Sequence, residues 1–372
     1  MTEPGRSPIA DRHIELGATL TDFAGFEMPL DYGSVVAEHT AVRTDCGVFD
    51  LSHLGMLVLR GPAAAEVLQA TLTNDIAALP AGRAHYSLCL DADAGVVDDL
   101  LVYHLDWGYF VVPNAANVAA VRKALEEEAQ GRDVEVVDVR GELACLAVQG
   151  PRSDEVMAMA GLDVSGLGYL DCRELDLPST GPDAVGDQPS GPVAGVLARS
   201  GYTGERGYEI FCTADKAPTL WDRLVAADAR PAGLGSRDTL RLEMGYPLHG
   251  QDLSVDTSPV EARLGWAVKP GTGFRGEEAY VRLREQGPAR RLMGLSVTGR
   301  GVPRAHCLIR RGDAVVGDTT SGTFSPTLRR GIALGYLDSD VEAGEEVTIE
   351  VRGKALPAEV VRPPFVHADP KA

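Results

Sequence analysis

Residues 91–103 read Asp-Ala-Asp-Ala-Gly-Val-Val-Asp-Asp-Leu-Leu-Val-Tyr, and this stretch restricts the fold more than any other in the chain. Residues 91–95 have turn chemistry, and the Val/Leu/Tyr run after them has the composition of a strand. Side chains alternate across a strand, so Asp98 shares a face with Val96, Leu100 and Val102, while Asp99 shares the other with Val97, Leu101 and Tyr103. Both faces are apolar. A carboxylate held there must accept hydrogen bonds, pair with a cation or carry a raised pKa. Either both acids cap backbone N–H groups at a strand end or bulge, or one of them is chemical.

A chain of 372 residues suggests two or three domains and can bury a substantial core. Apolar (44%) and charged (24%) fractions are those of a folded globular protein, and no apolar run is long enough to span a bilayer. The formal net charge of -19 argues against a nucleic-acid partner, because binding phosphates requires a clustered basic surface that this chain lacks. Cys46, Cys89, Cys145, Cys172, Cys212 and Cys307 are scattered with no CxxC or Cys/His ligand spacing, which favours reduced, buried thiols over a metal site or a disulfide framework. The first residues carry neither an apolar signal core nor an Arg-rich amphipathic arm, so the expectation is a soluble, cytoplasmic metabolic enzyme.

After a polar tail, Phe23-Ala24-Gly25-Phe26-Glu27-Met28-Pro29-Leu30 is taken to begin the ordered part, and Ser34 has the chemistry of an N-cap for a helix running to about Cys46. Gly47 to Gly55 is a turn into a strand at 56–60; within it His53 is either a base or a hydrogen-bonded structural residue. Gly61-Pro62 opens a second helix. A strand at 84–90, carrying His85 and Tyr86, pairs with the Asp98/Asp99 strand, and a short strand at 110–113 leads into a helix that ends near Gln130 with an acidic, solvated face. A similar order of elements then recurs without sequence repetition: strands at 134–139 and 143–148, a helix after Gly150-Pro151, a strand at 171–177, an exposed loop at 178–192, and a hairpin built on Ser200-Gly201-Tyr202-Thr203-Gly204-Glu205-Arg206-Gly207. Helices at 217–227 and 236–246 follow. Each half thus reads as α+β, with helices on one face of an antiparallel sheet.

From Arg290 the pattern changes to short alternating segments at 292–297, 307–310, 314–318, 330–337, 347–351 and 358–362, punctuated by Gly and Pro, which predicts a small β-barrel or sandwich. Gln286-Gly287-Pro288 breaks the helix before it, so the division falls between 1–285 and 286–372. Gly233-Leu234-Gly235 lacks the third glycine of a dinucleotide fingerprint and no buried parallel strand precedes it, which excludes a flavin or nicotinamide site of that type. Gly201, Gly204 and Gly207 are expected to supply positive φ angles in their turn.

Several strings carry a family signal together: Phe23-Ala24-Gly25-Phe26-Glu27-Met28-Pro29, Phe49-Asp50-Leu51-Ser52-His53-Leu54-Gly55, Val97-Asp98-Asp99-Leu100, Ser200-Gly201-Tyr202-Thr203-Gly204-Glu205, Pro231-Ala232-Gly233-Leu234-Gly235-Ser236-Arg237-Asp238 and Ser321-Gly322-Thr323-Phe324-Ser325-Pro326-Thr327-Leu328. In this order, over nearly the whole chain, they resemble the T protein of the glycine cleavage system, an aminomethyltransferase family. The resemblance implies two intertwined ferredoxin-like, folate-binding subdomains followed by a C-terminal antiparallel β-barrel, three lobes around a central cavity. It implies transfer of a methylene unit from the aminomethyl-dihydrolipoyl arm of a carrier H protein to tetrahydrofolate, with release of ammonia and formation of 5,10-methylenetetrahydrofolate, and with no metal.

The same resemblance places Asp99 as the catalytic aspartate and Glu209 as the acid that accepts the paired N–H groups of a pterin, with Arg237, Asn114 and the aromatic residues Tyr86, Tyr169, Tyr202 and Tyr246 around tetrahydrofolate. Each has a plainer alternative. Glu209 is otherwise an exposed strand carboxylate, Arg237 an ion-pair partner of Asp238 or Glu243, and each tyrosine a core residue with a satisfied hydroxyl. Leu54 stands where many relatives have Met, a volume-conserving change. Folate-binding accessory proteins of the same superfamily carry a Cys-containing string where this chain reads Lys269-Pro270-Gly271-Thr272-Gly273-Phe274-Arg275-Gly276-Glu277, and folate-dependent oxidases or demethylases of other donors normally add a flavin domain.

Overall fold

The computed structural model describes residues 4–175 and 195–371, so the expected 178–192 loop lies outside the described residues. Two sheets interleave along the chain. The first is antiparallel throughout, in the order Arg83–Leu90, Val96–Leu105, Gly108–Val112, Leu57–Arg60, Glu135–Asp138. The second runs Cys172–Leu175, Gly195–Ala198, Gly207–Thr213, Leu143–Gln149, Gly47–Asp50, Arg230–Pro231. Its last pair is parallel, a departure from the all-antiparallel expectation: Arg230–Pro231 joins the edge from a crossover helix rather than from a hairpin.

Alternation explains how the layers stack. In Leu143–Gln149, Ala144, Leu146 and Val148 pack with Val156, Leu220, Trp221 and Leu224 of the helices Ser153–Met159 and Ala217–Ala226, while Leu143, Cys145 and Ala147 point to the opposite side. In Val96–Leu105, Leu100 and Val102 meet the helices Ala64–Thr71 and Val118–Ala129, while Leu101, Tyr103 and Leu105 face inward. The inward sets of both sheets share one core with Phe49, Val58, Phe110 and Phe211, so the sheets lie face to face with helices outside both.

Six strands, Arg290–Val297, Arg330–Asp338, Ala314–Ser325, Leu308–Arg311, Glu346–Val351 and Lys354–Val361, close into the C-terminal barrel around Leu295, Ile309, Ala333, Ile349 and Val360. The helix Glu277–Gln286 ends at Gly287, whose φ of 76 suits a residue without Cβ. The barrel is fastened to the helix Leu234–Glu243 by buried polar groups: Arg241 pairs with Asp252 at 2.6 Å, and Asp252 also accepts from Ser321 at 2.9 Å, while Glu243 accepts from Thr327 at 2.9 Å. No helix among the described residues is long and apolar enough to cross a membrane, and all six cysteines are unbonded, five of them buried.

Order begins earlier than the sequence suggested. The supposed polar tail forms the strand Gly5–Arg6 and the helix Ala10–Glu15, because His13 is fully buried between Asp50 at 2.8 Å and the Tyr32 hydroxyl at 2.8 Å. The N-cap at Ser34 is present, its hydroxyl accepting from the Ala37 N–H at 3.3 Å ahead of the helix Val35–Thr44. The glycine hairpin differs from expectation. Only Gly204 has positive φ, whereas a Cβ on Gly201 or Gly207 would stand 2.0 or 2.4 Å from the buried Gln149 side chain. Those two positions need space, not a left-handed backbone.

Candidate active site

Asp99 and Glu209 stand on the inward faces of the two sheets, Glu209 opposite Tyr103, four positions along the strand from Asp99. Asp99 is on the inward face of Val96–Leu105 with Leu101 and Tyr103, and Glu209 is on the inward face of Gly207–Thr213 with Phe211. Tyr103 links the two strands: its hydroxyl donates to Glu209 at 3.1 Å. The Ser200 hydroxyl also donates to Glu209. With 6% exposure, Glu209 is no surface acid. No cation stands within 4 Å of it among the described residues, and two neutral hydroxyls alone hold a carboxylate in a sparsely solvated place.

Around Asp99, Tyr86 donates to one oxygen at 3.0 Å and Asn114 Nδ2 to the other at 3.2 Å. Burial raises the Asp99 pKa, and the hydrogen bond from Tyr86 and the proximity of His249 counteract it. Its charge in turn raises the Tyr86 hydroxyl, beyond what burial does. Tyr86 stacks on Trp266, an exposed indole, with ring centroids 5.1 Å apart.

Arg237 completes the arrangement. The alternative ion pair with Asp238 or Glu243 does not form. Asp238 is taken by Arg241 at 2.8 Å, and Glu243 by Arg43 at 2.9 Å and His39 at 3.3 Å. The Arg237 guanidinium instead lies 4.8 Å from the centre of the Tyr202 ring, with Nη1 buried and unbonded. Burial lowers its pKa and the Glu209 charge opposes that effect. Tyr202 stacks on Tyr246 at 5.7 Å and donates its hydroxyl to the Pro247 carbonyl. Tyr169, half-buried, feels the charge of Glu209, and the ammonium of Lys371 from the C-terminal tail lies 5.8 Å from its ring. The contacts form two groups, Tyr86, Asp99 and Asn114 in one and Tyr169, Tyr202, Glu209, Arg237 and Tyr246 in the other, and the Asp99 charge acts on the Tyr202 hydroxyl between them.

Sequence reasoning missed Tyr103, Ser200 and Trp266. Ser200 immediately precedes Gly201-Tyr202, and that adjacency was its only signal; Trp266 had none. His53 is buried at 2% exposure, packed edge-on against Phe23 at 5.2 Å, with Nδ1 unbonded. Burial, reinforced by Arg237 against the pull of Asp50, lowers its pKa to about 4, so it is neutral at physiological pH and ill suited to be a general base.

Two buried or half-buried acids on interlocked sheets, with tyrosines and a guanidinium that has no ion-pair partner among the described residues, have the composition of an enzyme site. Residues 9–272 match the family model described as the GCVT N-terminal domain, and residues 290–367 match the glycine cleavage T-protein C-terminal barrel domain. The chain is 48% identical to an aminomethyltransferase of Parafrankia sp. (strain EAN1pec), covering 100% of both chains, and 46% identical to one of Mycolicibacterium paratuberculosis, covering 96% of both. Its fold is similar to the crystal structure of glycine cleavage system aminomethyltransferase T from Bartonella henselae, with a TM-score of 0.90, 34% identity and 98% of each chain covered. The chain belongs to the glycine cleavage T-protein family.

Proposed function

We propose that this chain is a tetrahydrofolate-dependent aminomethyltransferase of the glycine cleavage system, acting in the cytoplasm on the lipoylated H protein. Its reaction moves the methylene unit of an aminomethyl-dihydrolipoyl arm to tetrahydrofolate, releasing ammonia and yielding 5,10-methylenetetrahydrofolate. The observation that carries this reading is that Asp99 and Glu209 lie on the inner faces of the two sheets, with Tyr103 of the Asp99 strand donating to Glu209.

Glu209 has free lone pairs on a buried carboxylate, the complement of a pterin's ring N–H and exocyclic amine, which one carboxylate accepts together. Tyr202, Tyr246 and Tyr169 supply flat faces for the pterin and benzoyl rings, and Arg237 has a donor free for a substrate oxygen. Asp99 orients and activates the folate nitrogen that attacks the methylene carbon of the iminium formed as the C–S bond breaks and the lipoyl thiolate leaves. Ammonia departs once that nitrogen holds the carbon and a second folate nitrogen closes the bridge, and the Asp99 charge offsets the positive charge that develops. Open water would hydrolyse the iminium, so the reaction requires that solvent be kept from that carbon. The test is the formation of methylenetetrahydrofolate and ammonia from aminomethylated carrier protein, with and without tetrahydrofolate. Ammonia without any folate product, or no reaction at all, overturns the assignment.

A further inference from the structure

Asp98 poses a problem that Asp99 does not. It points away from the site, toward the helix layer, with 0% exposure and no cation within 4 Å among the described residues. What surrounds it is a set of N–H donors from one short segment. Its Oδ2 accepts from the Asn114 backbone N–H at 2.9 Å; its Oδ1 accepts from Asn114 Nδ2 at 2.9 Å and from Asn117 Nδ2 at 2.6 Å. Asn117 stands at the N-cap of the helix Val118–Ala129, where an asparagine ordinarily turns its side chain to a helix N–H; here it makes no such cap and reaches Asp98 instead.

The same Asn114 amide that meets Asp98 continues to Asp99, donating to its backbone carbonyl at 2.9 Å and to its carboxylate at 3.2 Å. Asn114 thus bridges acids that lie on opposite faces of one strand. We propose that Asp98 is a positioning residue: gripping Asn114 at both its backbone and its side chain, it fixes the amide that orients the Asp99 carboxylate. A carboxylate suits this position because it accepts on both oxygens. An asparagine there would present an NH₂ to one of the Asn114 or Asn117 donors and release it.

The inference rests on the role assigned to Asp99, and the experiment separates the two. In the full-length protein, Asp98→Asn lowers turnover by about 30- to 100-fold, the scale expected when a reacting group is displaced by about 1 Å, and it leaves the tetrahydrofolate dissociation constant within about threefold of wild type. Asn114→Ala lowers turnover by a comparable factor. The double variant Asp98→Asn/Asn114→Ala is no slower than Asn114→Ala alone, because both changes break one linkage. A crystal structure of Asp98→Asn shows Asn114 Nδ2 moved out of hydrogen-bond reach of Asp99. Should Asp98→Asn fail to fold, Asn117→Ala removes one donor and leaves the acid; it lowers turnover several-fold, again with folate binding unchanged. Effects of the two single variants that multiply, folate binding that falls in step with turnover, or an Asn114 amide still on Asp99 in the variant overturn the proposal. A wild-type protein inactive toward the aminomethylated carrier overturns the reaction assignment instead, and the crystal structure of the variant still decides the role of Asp98.

Discussion

Tyr86 and Asp99 lie on neighbouring strands two positions out of register, and the phenol donates to the carboxylate at 3.0 Å. With Asn114 on the other oxygen, each oxygen of Asp99 has one donor. In the proposed reaction a group so placed holds a substrate nitrogen. Asp99→Asn should therefore cut turnover by about 10³-fold, within the range for loss of a positioned acid or base, while tetrahydrofolate affinity by calorimetry changes little. Near-normal turnover would remove Asp99 from the mechanism.

The pH dependence follows from the same burial. The Asp99 pKa is raised above the ordinary carboxylate range, so the active ionised form is lost on acidification sooner than for an exposed aspartate. The acid limb of kcat should lie above about pH 4, the ordinary aspartate value. Tyr86→Phe deletes a donor that favours the charged form and should move that limb to higher pH. A limb that stays in place would show that another group controls it.

Glu209→Gln replaces the acceptor for a pair of N–H groups with a side chain that offers one acceptor and one donor. The expected loss is one charge-assisted hydrogen bond, about 1.5 to 3 kcal/mol, or roughly 10- to 100-fold in tetrahydrofolate affinity. Ser200→Ala removes only a hydroxyl that holds Glu209 and should cost less. Equal affinity in wild type and Glu209→Gln would place the pterin elsewhere.

Glu243 ties stability to pH. Its burial alone would raise its pKa, but hydrogen bonds and charge from His39, with Ser325 and Arg43, overcome that and hold it at about 2. A carboxylate depressed in the folded state stabilises above its unfolded pKa of about 4.3 and loses that contribution as pH falls toward 2, amounting to about 3 kcal/mol at neutral pH. Glu243→Gln should lower the urea midpoint at pH 7 and flatten the decline in stability between about pH 4.3 and 2. An unchanged acid decline would assign it to other carboxylates.

Two glycines separate crowding from backbone freedom. Gly201→Ala drives a methyl to 2.0 Å from Gln149, which is buried and already bonded to Thr203 at 2.8 Å and Ser200 at 3.0 Å, so it should destabilise by about 1 to 3 kcal/mol. Gly141→Ala meets nothing within 4 Å and should be close to neutral. Thermal denaturation of both variants reads the difference, and equal midpoints would refute the crowding argument.

The hairpin of Asp98 and Asp99, the assignment of each acid to its own face, the N-cap at Ser34 and the change to short alternating strands at Arg290 were legible in the chain, because each depends on side-chain period and turn chemistry within about ten residues. The paired-acid site was legible only through collinear strings, since nothing in the period of residues 207–213 says what stands opposite Glu209. Local reading failed where partners come from far along the chain. His13 draws the N-terminal segment into the core through Asp50, and Arg43, from another helix, occupies Glu243. Among the described residues Arg237 lies over Tyr202 without an ion-pair partner: Arg241, one helical turn from Asp238, takes that acid, and Arg43 takes Glu243 through a contact between helices that only packing brings together.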